Sequence, residues 1–404
     1  MAGSSVELVA TAAFGLEAVV ARELKGLGYE PRIEEGGRIH FAADLCAIPR
    51  ANLWLRAADR VLVQIGSFPA RTFTELFEGT RALPWPDWLP ADASFPVVGK
   101  AVRSQLMSVP DCQAIAKKAV VEKMKEKYGR GWFPETGPVF RIEVSLLRDQ
   151  ATLSIDTTGP GLHKRGYRKL VGPAPLKETL AAGMILLSGW GPERPLLDPF
   201  CGSGTIPIEA ALIGKRIAPG LGRRFAAEDW PIFPAGLWEE ARAEAKDLAE
   251  SGRELEILGA DIDPEALALA VHHAHAAGVA RDVTFRIQAL SALREEKPYG
   301  CLICNPPYGQ RLGDRAAAQR LYREMGRILR TWDTWSFFIL TAHRDFERLF
   351  GRRADRRRKF YNGGIECQYY QYFGPRPPRV AFASARGRGR SGGMGEGTPS
   401  SPGG

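Results

Sequence analysis

The sequence predicts an α/β protein whose C-terminal part is a doubly wound parallel sheet and whose N-terminal part is a smaller α+β region. Three observations carry this expectation. After His163, short apolar runs (PLLDPF, ELEILGAD, VTFRI, CLICN, WSFFILT) alternate with helical patterns (GTIPIEAALIG, PEALALAVHHAHAAG), as a sheet covered on both faces requires. Before that point, runs such as VFRIEVSLL and ATLSIDTTG alternate apolar with polar residues, which suits antiparallel strands with one wet face. The chain has 404 residues, more than one core usually organises, and its 45% hydrophobic content is ample for several.

Residues 1–60 read as strand VELVATA, helix LEAVVARELKGLGY, strand RIHFAA and helix NLWLRAAD, one small unit. Residues 61–160 repeat the mixture: strands VLVQIGSF and FPVVGKAVRS, a helix AIAKKAVVEKMKEKYG capped by Asp111, and the two alternating runs, joined as a hairpin by a short polar turn. The parallel sheet is assigned to residues 161–380. Its helix after GADIDP is well punctuated, with Asp263 at the N-cap, Pro264 at the first helical position and Gly278 past the end. The helix RAAAQRLYREMGRILR leads into WSFFILT, and IECQYYQYF is expected to close the sheet as a hairpin edge. Residues 381–404 are dominated by Gly, Arg, Ser and Pro, so a disordered tail is expected.

Composition removes several classes. No stretch is long and apolar enough to span a bilayer, and the N-terminus lacks the basic start and apolar core of a secretory signal, so a cytoplasmic location without a membrane partner is expected. The six cysteines are scattered and form no disulfide framework. Cys301 and Cys304 have zinc-like spacing, but a strand would point them to opposite faces and no second pair lies nearby, so no metal is expected. The net charge of +9 favours a polyanionic partner. Lys117 and Lys118 begin a lysine-rich helical stretch, and His163, Lys164, Arg165, Arg168 and Lys169 lie in HKRGYRK; these are the candidate contacts, although each cluster also reads as a solvated face.

Three constellations carry chemistry. Asp198, Phe200, Gly202, Ser203 and Gly204 belong to DPFCGSG, between a buried strand and a helix, where glycines let the backbone approach a ligand closely. It lacks the lysine of a phosphate loop and the dinucleotide spacing. Asp261 ends the next strand, where a carboxylate can accept both hydroxyls of a ribose while Ile262 lies against an adenine. Asn305, Pro306, Pro307 and Tyr308 follow the strand CLIC. The Asn305 side-chain oxygen and the Pro306 carbonyl can both accept from one NH₂ group, and Tyr308 offers a ring for a base to stack on.

In this order the motifs resemble the THUMP-domain class I RNA methyltransferases, specifically the bacterial group that methylates guanine N2 in large-subunit ribosomal RNA. The resemblance covers about residues 1–375 through LHKRGYR, APLKETLAAG, LLDPFCGSGTIPIEAAL, GADIDP, NPPYGQRLG and KFYNGGIEC. It implies a Rossmann-like class I methyltransferase sheet binding S-adenosylmethionine, preceded by ferredoxin-like and THUMP regions that bind structured RNA. By motif it places Asp198, Gly202 and Gly204 around the methionine part, Asp261 at the ribose, and Asn305 to Tyr308 at the target base. The family's acid near the end of the strand VTFRI is missing, and Gln288 stands as its expected, weaker substitute. Transfer RNA methylation at guanine N2 or adenine N6, amino-methylation of adenine or cytosine in DNA, and an RNA-binding protein without catalysis are the other readings.

Overall fold

The computed structural model describes residues 5–168, 176–294, 297–309 and 314–378. Lys169 and the tail assigned to 381–404 lie outside the described residues. The first half of the chain forms β1 (Val6–Ala12), β2 (Arg32–Glu34), β3 (Arg38–Ala43), β4 (Ala58–Pro69), β5 (Val97–Val102), β6 (Arg141–Leu147) and β7 (Gln150–Asp156). They make one seven-stranded sheet in the order β2-β3-β1-β4-β7-β6-β5. Every pairing in it is antiparallel except β5 with β6. The division expected at residue 60 falls inside β4, a 12-residue strand that pairs with β1 on one side and β7 on the other. The β6–β7 hairpin turns through Arg148 and Asp149, both at positive φ (51° and 62°), the backbone that matches a two-residue turn to strand twist.

Two helix boundaries differ from expectation. The helix sought at NLWLRAAD spans Ala47–Trp54, because the chain from Ala58 is already paired in β4. The lysine-rich helix runs Val109–Tyr128 from an N-cap at Ser108, so Asp111 does not cap it but sits in the first turn, where its charge complements the helix dipole.

The second half forms β8 (Leu196–Asp198), β9 (Ile257–Asp261), β10 (Thr284–Ile287), β11 (Cys301–Cys304), β12 (Ser336–Thr341), β13 (Arg356–Asn362) and β14 (Ile365–Tyr372), ordered β10-β9-β8-β11-β12-β14-β13. The strands β10 to β12 in this order are parallel, and β14 and β13 run antiparallel beyond them. IECQYYQYF is therefore not the edge: β14 lies between β12 and β13. The burial of Cys367, Tyr369, Tyr370 and Tyr372 explains the interior position, whereas β13 begins with three arginines that suit a solvent-facing edge. Cys301 and Cys304 belong to different core clusters, on opposite faces of β11.

The two halves share a core, in which Leu8, Leu16 and Val63 of the first sheet's region pack in one cluster with Ile185, Ile206 and Phe338 of the second. A buried polar chain crosses the same junction. Glu23 accepts the backbone N–H groups of Arg56 and Ala57 (2.8 and 3.1 Å), the Arg56 carbonyl accepts from Arg165, and Arg165 pairs with Glu209 at 3.2 Å.

Candidate active site

A parallel sheet brings the carboxyl ends of its strands to one edge, and a crevice opens where the strand order reverses. Here that point is β8: the chain goes from β8 to β9 and β10 on one side, then to β11 and β12 on the other. The loops after β8, β9, β10 and β11 consequently surround a cleft of about 630 Å³, with an adjoining lobe of about 390 Å³. Asp261, Ile262, Asn305, Pro306, Pro307 and Tyr308 line the cleft; Asp198, Gly202 and Ser203 line the lobe; Phe200 and Asn305 belong to both.

The local structure explains these placements. Gly202 has φ +51° and nothing within 4 Å of the position a Cβ would occupy, so its backbone is open to a ligand. Its N–H donates to the Asp261 carboxylate at 2.9 Å, tying the loop after β8 to the end of β9. Gly204 does not line the cleft. It caps the helix Thr205–Gly214 at φ +83°, and a Cβ there would lie 2.9 Å from that of Ala270. The buried His273 ring faces the Ser203 carbonyl at 3.1 Å and braces the loop from behind.

Asp198 is buried and accepts from the Phe200 N–H at 3.1 Å; burial, and then the neighbouring Asp261 charge, push its carboxyl well above the usual range. Neither Asp198 nor Asp261 has a cationic side chain paired with it among the described residues. Two such carboxylates fit a positively charged ligand, which would return Asp198 to its ionised form.

The loop after β11 is held from both sides. The Tyr308 hydroxyl donates to Asn305 Oδ1 and lies 3.5 Å from Asn362 Nδ2 and Cys367 Sγ. Burial pushes the phenol up, so it stays a proton donor. Tyr322 donates to the Pro307 carbonyl at 2.6 Å, clamping the loop to the helix Asp314–Leu329.

Three family models match the chain: an RlmL ferredoxin-like domain over residues 7–62, a THUMP domain over 70–156, and an RMKL-like methyltransferase domain over 165–371. The "Putative RNA methyltransferase YpsC" of Bacillus subtilis (strain 168) is 48% identical over 381 residues, covering 94% of this chain and 99% of that protein. The chain belongs to the THUMP-domain class I RNA methyltransferases. Among solved structures, a Listeria monocytogenes str. 4b F2365 protein described as a "predicted N6-adenine-specific DNA methylase" is 52% identical, with 92% of this chain and 97% of that one covered and a TM-score of 0.88. SMU.472, complexed with SAH, is 47% identical over 92% of this chain and 99% of its own, with a TM-score of 0.87.

For an RNA methyltransferase of this family the methyl donor is S-adenosylmethionine, and the cleft fits it: an open glycine loop, two carboxylates without cations, and Ile262, 72% exposed, beside Asp261. The expected Gln288 is not part of the lining. Its side-chain amide donates to the Ala292 carbonyl at 2.9 Å, and Ala289, Leu290 and Ser291 take the wall instead. The lining also includes Lys177, Leu321, Glu324, Asn362, Gly363 and Ile365, to which the sequence reading gave no role. Asn362, Gly363 and Ile365 lie in KFYNGGIEC and Lys177 in APLKETLAAG, so the motifs flagged their segments without saying what each side chain meets.

The basic residues of this methyltransferase sort differently from expectation. Arg165 is 4% exposed and paired with Glu209, and the Arg168 side chain is packed against Glu178 and Thr205, so both are turned inward and not to the solvated face expected for an RNA contact. Both are cations that the fold uses internally. The half-buried His163 is pushed down to about 4 by burial and by Lys177 and Lys164, which leaves it neutral at pH 7. Lys164 is exposed, as is Lys118, while Lys117 is held by Glu135 at 2.7 Å. Further along that helix, Lys123 pairs with Glu126 and Lys125 with Glu122.

Proposed function

We propose that this enzyme forms N2-methylguanosine in large-subunit (23S) ribosomal RNA in the cytoplasm. The observation that carries the reading is the loop Asn305–Tyr308 standing in the same cleft as Asp261, with Asn305 shared by that cleft and the adjoining lobe that holds Asp198. A residue at that junction can hold an acceptor nitrogen beside a methyl donor. The resemblance of the motifs to the guanine-N2 group favours guanine in ribosomal RNA, and a THUMP region in the same chain favours RNA over DNA.

S-adenosylmethionine, when bound, supplies an electrophilic methyl group. The chain's own residues supply place and orientation. Gly202 and Ser203 would hold the methionine part, Asp198 its charge, Asp261 the ribose hydroxyls and Ile262 the adenine. The Pro307 carbonyl is engaged by Tyr322, which leaves the Asn305 side-chain oxygen and the Pro306 carbonyl as the pair for the target amine. An oxygen with two lone pairs can take that proton beside the one from Tyr308. Two acceptors would turn the amine lone pair out of conjugation and free it for an electrophile, and the amine's surplus proton would pass to water. Tyr308, anchored at its hydroxyl, presents its ring to the base. A paired base cannot reach this arrangement, so the target is unpaired or flipped out.

Label transfer from tritiated cofactor tests the proposal, using large-subunit RNA from cells lacking the enzyme, transfer RNA and DNA, with nucleoside digestion afterwards. Label in N2-methylguanosine from the large-subunit RNA is expected. Label in N6-methyladenosine, in transfer RNA or in DNA overturns the assignment; the name given to the Listeria protein makes adenine N6 the outcome to watch.

A further inference from the structure

Ile262, Ala289, Leu290 and Leu321 give one part of the cleft an apolar lining, a slot that also holds the polar residues Ser291 and Glu324. Glu324 follows Leu321 by three residues on the helix Asp314–Leu329, so the two side chains share a face, and that helix packs against the short turn Leu290–Ala292. The Glu324 side chain has no hydrogen bond or ion pair among the described residues. A half-buried carboxylate that lines a cleft and has no partner calls for a donor from outside the chain.

The neighbours say which donor. The slot adjoins Asp261 and Ile262 at the β9 end of the cleft, away from the β13–β14 turn that brings Asn362 to the other end. A flat aromatic ring with one exocyclic amine fits an apolar lining that also holds an acceptor. Gln288 is not among the residues that line the cleft, its side-chain NH₂ being bonded to the Ala292 carbonyl. We propose that Glu324 is the acceptor for the adenine exocyclic amine of S-adenosylmethionine, supplied by the helix Asp314–Leu329, with the Ser291 hydroxyl secondary to it. The assignment rests on the cofactor and not on the identity of the methylated base, so either reading can fail without the other.

Calorimetry on the full chain tests it with two ligands: S-adenosyl-L-homocysteine, and S-inosyl-L-homocysteine, in which a carbonyl replaces the amine. The unaltered protein should prefer the adenosyl compound by about 10–100-fold, the worth of one hydrogen bond to a charged group. Glu324→Ala should remove most of that preference by weakening the adenosyl compound alone. Glu324→Gln keeps shape and an acceptor oxygen and should retain part of the preference; Ser291→Ala should retain most of it. A preference that survives intact in Glu324→Ala overturns the assignment. So does an equal loss for both ligands, which would make Glu324 a support for its helix. A changed choice of RNA base with an unchanged ligand preference would give Glu324 to the target and likewise overturn it. Should the alanine variant fail to fold, Glu324→Gln decides, and an unaltered preference there counts against the proposal.

Discussion

The two seven-stranded sheets have similar content and opposite consequences. In the N-terminal sheet nearly every neighbour is antiparallel, so consecutive loops emerge at alternate ends and no set of polar loops gathers. In the C-terminal sheet β10, β9, β8 and β11 run the same way, so Ser291, Asp261, Asp198 and Asn305 come from four separate stretches of chain to one edge. Strand direction, more than composition, decides which half carries the chemistry. The antiparallel half is locked to the catalytic half through a shared core.

The lock itself is the first place to break that comparison. Glu209→Ala leaves Arg165 buried without its partner and deprives Tyr167 of its 3.1 Å acceptor. A loss of about 3–5 kcal/mol in unfolding free energy is expected, the scale for an orphaned buried charge. Urea unfolding followed by fluorescence measures it, and an unchanged midpoint would mean that the halves hold together without this pair.

Asn305→Ala sharpens the chemical side. Single-turnover methylation should fall by about 10²–10³, the scale for one oriented polar group in a transition state, with affinity for S-adenosyl-L-homocysteine nearly constant. Because Tyr308 bonds to this side chain, Tyr308→Phe belongs beside it: if the rate loss came only from releasing the ring, the phenylalanine variant would reproduce it.

Asp261→Ala should weaken cofactor binding by roughly 1.5–3 kcal/mol per bond lost. Asp261 also accepts the Gly202 and Asp263 N–H groups, so part of the loss comes through the glycine loop. Calorimetry that finds the affinity intact in a folded variant would move the ribose elsewhere.

A smaller effect concerns pH. His163 titrates at about 4 in the folded chain against an ordinary 6.5, so the neutral form is the one that folding favours. Its contribution is present above about pH 6.5 and is lost as pH falls towards 4. His163→Gln should flatten the acid side of a stability profile over that window, and a profile with unaltered slope would contradict the burial that sets the shift.

The smallest expected change separates two adjacent cations. If Lys164 meets a phosphate, Lys164→Ala lowers the slope of log affinity against log salt by about 1. Arg165→Ala should leave that slope alone and act on stability, since its guanidinium never reaches solvent. Filter binding across salt concentrations distinguishes them, and equal effects at the two positions would return Arg165 to the RNA surface.

Local grammar was enough to read every strand but β2 and β13, the β6–β7 hairpin, the Asp263 cap with its bonds to Glu265 and Ala266, and the three loops that meet at the cleft, because each is written in a few consecutive residues. The helix Phe73–Arg81 was equally available, since Thr72 and Glu75 form a capping box that a search for that spacing would have found. Tertiary structure alone decided what depends on packing partners. The run HKRGYRK reads as a solvated basic segment, yet Arg165 and Arg168 turn inward because Glu209 and Glu178, from later helices, arrive beside them. Gln288 follows the strand in the expected place, but its amide finds a backbone carbonyl four residues on and leaves the cleft to Ser291. Glu324 lies in an ordinary amphipathic helix, and only the docking of that helix against Leu290–Ala292 puts its carboxylate in the site. Residue type and spacing determine what a segment can do with itself; which charge is buried, and which faces the ligand, is set by elements distant in sequence, because the cost of burying a charge depends on what arrives to meet it.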